Sequence, residues 1–123
     1  MRFRPEQHLR RQDDFRAVRE KGRRIDCGAF TLWVLLPRSD DQPPKPRVGV
    51  VASIASVGGA VQRTRAKRRL RALFREHQAL VTPGADLLLV ARAAVNRLEF
   101  RALEQKFIDA CHKIFPSSHA PAQ

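Results

Sequence analysis

Residues 58–76 read GGAVQRTRAKRRLRALFRE, and the order of apolar and basic side chains in this stretch decides how the rest of the chain is arranged. From Arg63 to Arg75 there are seven basic side chains (Arg63, Arg65, Lys67, Arg68, Arg69, Arg71, Arg75) and no acid. At about 100° per residue, Ala66, Leu70, Leu73, Phe74 and His77 share one face, a spacing that predicts a packed amphipathic helix. Arg68, Arg71 and Arg75 point the opposite way, with Arg65 and Arg69 beside them. Such a helix is held to a core by its stripe while roughly half its circumference offers cationic hydrogen-bond donors. That design suits a polyanion.

Working outward toward the N-terminus, the paired Gly58 and Gly59 predict a place where the backbone comes close to another chain. Arg47–Ser53 reads as a buried strand. The segment PRSDDQPPKP, residues 37–46, has four prolines and no large apolar side chain, so it predicts a solvent loop closing a hairpin. Before it, Ala29–Leu36 (AFTLWVLL) has the β-branched and aromatic content of a strand. Its even positions, Phe30, Leu32, Val34 and Leu36, are uniformly apolar. Thr31 and Trp33 fall on the less apolar face, where an indole either stacks on a base or covers the sheet edge. Asp13–Lys21 reads as a short helix with acids in its first turn, Phe15 and Val18 three apart, and Gly22 as its stop. Phe15 is either a core anchor or a wall of an RNA groove. Met1–Arg11 reads as a basic, irregular arm.

Toward the C-terminus, Thr82–Asp86 makes a turn, and Leu87–Ala91 is a short, wholly apolar run of the kind found in central strands. Asn96 is placed to cap a last helix. On that helix Phe100, Leu103, Phe107, Ala110, Cys111, Ile114 and Phe115 recur at helical spacing as a core face, and Pro116 ends it. The tail after it is small and polar. The order is α-β-β-β-α-β-α, a single α+β domain. A parallel crossover through the basic helix is right-handed on general grounds.

A chain of 123 residues with 43% hydrophobic content suffices for one core. Lys and Arg number 24 against 12 acids, a formal charge of +12, which points to nucleic acid or an anionic surface as partner. No apolar run reaches the ~18 residues of a membrane span, and the N-terminus lacks the apolar centre of a signal peptide, so a cytoplasmic protein is expected. Cys27 and Cys111 belong to no metal-binding pattern and are expected to be reduced and mostly packed. A phosphate-cradling P-loop is excluded, since no G-x-x-x-x-G-K-[ST] is present. A protein-only nuclease needs clustered carboxylates for Mg²⁺ or a His pair. Asp13–Asp14 and Asp40–Asp41 are isolated pairs, and His8, His77, His112 and His119 are scattered, so neither a catalytic nor a metal site is expected on the chain.

Four motifs together resemble the protein subunit of bacterial ribonuclease P. They are R-x-x-D-F-x-x-V-x-x-x-G (Arg11–Gly22), F-x-L (Phe30–Leu32), R-V-G-V (Arg47–Val50) and A-V-x-R-x-R-x-K-R-x-x-R (Ala60–Arg71). The resemblance implies an α-β-β-β-α-β-α sandwich over residues 1–115, ribosomal protein S5 domain 2-like, with a left-handed β-α-β crossover against the general rule, and a disordered tail over 116–123. It implies an RNA-binding subunit of a ribonucleoprotein that removes the 5′ leader of precursor tRNA. In it the ribonuclease P RNA carries out hydrolysis with Mg²⁺ bound mainly by that RNA. Carried over, Arg63, Arg65, Lys67, Arg68 and Arg71 become RNA-subunit contacts, and Phe15, Arg19, Thr31 and Trp33 the leader cleft. The chain departs from the family at Thr64, where an Asn is usual, in Ser53–Gly58, which lacks two lysines, and at Arg19, which stands where an aromatic is frequent. The alternative is a ribosomal-type RNA-binding or RNA-chaperone module with no role in tRNA processing.

Overall fold

The computed structural model describes residues 12–36, 46–82 and 84–115. The arm 1–11, most of the proline-rich segment including Asp40–Asp41, and the tail 116–123 lie outside the described residues. In chain order the elements are α1 (Gln12–Lys21), β1 (Arg23–Asp26), β2 (Phe30–Leu35), β3 (Arg47–Val51), α2 (Ile54–Val57), α3 (Ala60–Glu76), β4 (Asp86–Ala91) and α4 (Phe100–Ile114), with 3₁₀ turns at Gln78–Leu80 and Ala93–Asn96.

One sheet runs in the order β1-β2-β4-β3. β4 is antiparallel to β2 and parallel to β3. This is where the sequence reading needs correction, because the proline-rich segment does not close a hairpin between paired strands. β4 is the strand with apolar side chains at nearly every position, and that composition is stable only where both faces are covered. It therefore takes the centre, and β3 is displaced to the far edge. The hairpin lies one strand earlier, where β1 pairs with β2. The sequence did not delimit β1, since its Arg23-Arg24-Ile25-Asp26 is half-buried at only one position. Its turn is set by Gly28 at φ +81°, and Gly28 N–H donates to Asp26 Oδ1 at 2.8 Å.

The sheet separates two apolar clusters. On one face Phe30, Leu32, Val34, Val48, Leu87 and Leu89 pack with Ala66, Leu70, Leu73 and Phe74 of α3 and with Leu103, Phe107, Ala110, Cys111 and Ile114 of α4. On the other, Val18 of α1 and Leu88 form a small centre to which Phe15, Trp33, Leu35, Val51 and Val90 add. Alternation along β2 thus sorts its side chains as expected, except that Leu36 lies past the strand end and is exposed. Gly22 is fixed by space, since a Cβ there would meet Val18 O at 2.4 Å and Val34 O at 2.6 Å. That close approach seats α1 on the sheet.

The entry to α3 also departs from expectation. Ser53 caps the one-turn α2, its Oγ accepting from Ser56 N–H at 3.1 Å, and Gly58 at φ +117° turns the chain into α3. Backbone conformation, not close approach, is the demand at Gly58, while Gly59 is extended at φ −75° and a side chain there would meet nothing within 4 Å. Asn96 does not cap α4. Glu99 holds that position, and Asn96 turns back to α3.

Candidate nucleic-acid interface

The basic helix α3 is bound along its stripe. Ala66, Leu70, Leu73 and Phe74 are each 0% exposed, which fixes the roll of the helix and leaves its other side to solvent. The structure divides the five residues expected to contact RNA. Arg65 and Arg68 are exposed and line an open groove with Ala60, Val61, Thr64 and Arg69. Arg63, Lys67 and Arg71 are half-buried, and Arg63 Nε is buried without a hydrogen-bond partner. On the wheel Arg63 lies about 60° from Ala66, on the side of Leu70 and Phe74, whereas Arg65 lies about 100° from Ala66 on the other side.

Arg69 was not singled out from sequence beyond its charge. Its Nη2 donates to the Leu98 carbonyl, which turns the side chain toward the segment before α4 while it still lines the groove. Partial burial, and then the neighbouring Arg65, lower its pKa from the usual guanidinium value. Val61, which lines this groove, is 78% exposed, and Ile54 of α2 is 67% exposed. The far end of α3 is closed by His77, whose Nε2 is 3.0 Å from Glu104 Oε2 on α4.

The second candidate surface is the α1 face of the sheet. Phe15 and Arg19 line a shallow groove with Arg16, Glu20 and Val51. Trp33 is half-buried in the same small cluster as Phe15, and the Arg24 guanidinium carbon stands 5.9 Å from the centre of its ring. The contact follows from register, since Arg24 is directly opposite Trp33. Thr31 is 6% exposed, so its hydroxyl offers little to a ligand. Among the described residues, no three His, Cys, Asp or Glu side chains form a group that would hold a metal ion, and no helix is long and apolar enough to cross a membrane.

These two surfaces sit in a known sequence and fold context. The ribonuclease P family model matches residues 3–115. The ribonuclease P protein component of Streptomyces griseus is 45% identical over 95 residues, covering 72% of this chain and 73% of that one. That of Syntrophomonas wolfei is 35% identical over 100 residues, covering 81% and 80%. Among solved structures, the ribonuclease P protein from Thermotoga maritima superposes with a TM-score of 0.74 at 21% identity over 89% of this chain and 98% of that chain. The Staphylococcus aureus protein gives 0.71 at 20% identity with the same coverage. The fold is therefore shared, and the chain belongs to the ribonuclease P protein family as a protein subunit of that ribonucleoprotein.

Proposed function

We propose that this subunit binds the ribonuclease P RNA through the outer face of α3 and grips the 5′ leader of precursor tRNA in the groove between α1 and the sheet. The observation that carries the reading is the division of α3 into a stripe with no exposure and an opposite face bearing Arg65 and Arg68. Guanidinium groups held on a rigid helix match phosphate geometry without paying to order a loop. In the second groove Phe15 and Val51 supply apolar and aromatic surface and Arg16 and Arg19 supply charge beside Glu20, while the Arg24–Trp33 pair lies on the same face of the sheet outside the groove lining, a combination suited to single-stranded RNA of any sequence. Hydrolysis belongs, in this reading, to the RNA subunit, and the Mg²⁺ it uses is bound mainly by that RNA. The protein's part is to neutralise phosphates and to orient the leader.

Reconstitution with a bacterial ribonuclease P RNA at low Mg²⁺ tests this directly, with leader removal expected to rise when the protein is added. Binding should also weaken steeply with salt. Each neutralised phosphate contributes roughly 0.7–0.9 to the log–log slope, so about five contacts give a slope near −4. A slope flatter than about −2 would mean that α3 is not the principal RNA surface.

A further inference from the structure

The first turns of α3 have little core beneath them. From Ala60 to Arg65 every side chain is exposed except the half-buried Arg63, and the apolar stripe begins only at Ala66. Two polar ties join this half of the helix to the segment before α4. Asn96 Nδ2 donates to the Gln62 carbonyl at 2.9 Å and to Gln62 Oε1 at 3.2 Å. Further along the helix, Arg69 donates through Nη2 to the Leu98 carbonyl. Gln62 and Arg69 are seven residues apart, which on an α-helix returns to within about 20° of the same direction. Both ties therefore act on one flank.

They also end in one short segment, which is itself fixed. Val95 is buried in the main core, Leu98 packs against it, and Leu98 N–H donates to the Ala94 carbonyl at 3.1 Å. The orientation of the Asn96 amide follows from its partners, because two acceptors call for its NH₂ group. Arg65 lies only about 40–60° around the helix from the tied side chains, so a change in roll or fraying at Gln62 moves it directly.

We infer that Asn96 is a positioning residue for RNA binding. It holds the N-terminal turns of α3 in register with the core, and so sets the direction in which Arg65 and Arg68 meet the RNA, without touching RNA itself. The inference rests on the RNA-binding reading of α3.

Asn96→Ala in the full chain tests it against the ribonuclease P RNA. Losing one neutral hydrogen-bonding group changes an equilibrium roughly two- to tenfold, and affinity is expected to fall by that factor. Circular dichroism should stay unchanged. Amides 64–66, which bond the first-turn carbonyls, should exchange faster in the free protein. In a chain that already carries Arg65→Ala and Arg68→Ala, adding Asn96→Ala is expected to cost almost nothing more, because the side chains it positions are gone.

Multiplicative losses in that background, or weaker binding with unchanged amide exchange, would show that Asn96 meets the RNA itself and overturn the inference. So would undiminished binding. If Asn96→Ala does not fold, Gln62→Ala removes one of the two acceptors and should produce a smaller effect of the same sign; no effect on exchange or binding overturns the proposal. Should Arg65→Ala and Arg68→Ala leave affinity untouched, the RNA reading of α3 fails and this proposal with it. If they weaken binding while Asn96→Ala does not, only the proposal fails.

Discussion

Trp33 is claimed by two environments. The indole packs against the buried centre of Val18 and Leu88, while the side chain stays half-exposed and carries the Arg24 guanidinium at 5.9 Å. A fully buried aromatic truncated to alanine costs about 3–5 kcal/mol, and half burial should reduce that to about 2 kcal/mol. Trp33→Ala is therefore expected to lower the melting temperature less than Phe30→Ala, whose ring is wholly buried. If the indole also stacks on the leader, the holoenzyme loses about 1–3 kcal/mol of affinity for precursor and almost none for mature tRNA. Thermal melts and a competition assay with the two RNAs check both parts, and equal losses would count against a leader cleft here. The face of Trp33 was legible from alternation along Phe30–Leu35. Its partner Arg24 was not, because register between strands depends on a pairing that the sequence does not display.

Within α3 the two faces make opposite demands, and substitutions should separate them. Leu70 is fully buried, so Leu70→Ala should cost about 2–5 kcal/mol of stability by the loss of transfer energy and the cavity left behind. Arg68 is exposed, so Arg68→Ala should leave the unfolding free energy from chemical denaturation within about 0.5 kcal/mol of wild type. Its RNA affinity should nevertheless fall, with the salt slope reduced by about one contact. Unfolding of the Arg68 variant would show that the outer face also carries structure. The stripe was readable because Ala66, Leu70, Leu73 and Phe74 recur at helical spacing. The half-burial of Lys67 and Arg71 was not, because a wheel gives directions and says nothing of which neighbouring elements reach the helix flanks. The same holds for Asn96, whose residue type suggested a cap and whose partner lies 34 residues away.

At the scale of the whole molecule, both thiols are packed into one core between the β1–β2 turn and α4. Burial pushes Cys27 from 9.0 up to about 11 and Cys111 from 9.0 up to about 12, and the nearby Asp26 and Cys27 act in the same direction on each. The unfolded chain gives up these protons near pH 9 while the folded chain retains them, so their contribution to stability is complete below that pH and is lost as pH rises toward 11–12. The stability advantage of wild type over a Cys27→Ala, Cys111→Ala variant should thus shrink between pH 9 and 11, measured by chemical denaturation under reducing conditions. A constant gap would mean that the thiols ionise alike in both states. The sequence by itself determined the amphipathic basic helix, the alternating second strand and the wholly apolar fourth strand, because periodicity and charge are local properties of the chain. It also carried the family, through motifs spread from Arg11 to Arg71. Only the tertiary structure decided that β4 enters between β2 and β3, that Arg65 and Arg68 stand clear while Lys67 and Arg71 are partly covered, and that Asn96 bonds to α3. Each depends on which distant segments come into contact, a choice settled by covering apolar faces and pairing buried polar groups across the whole fold.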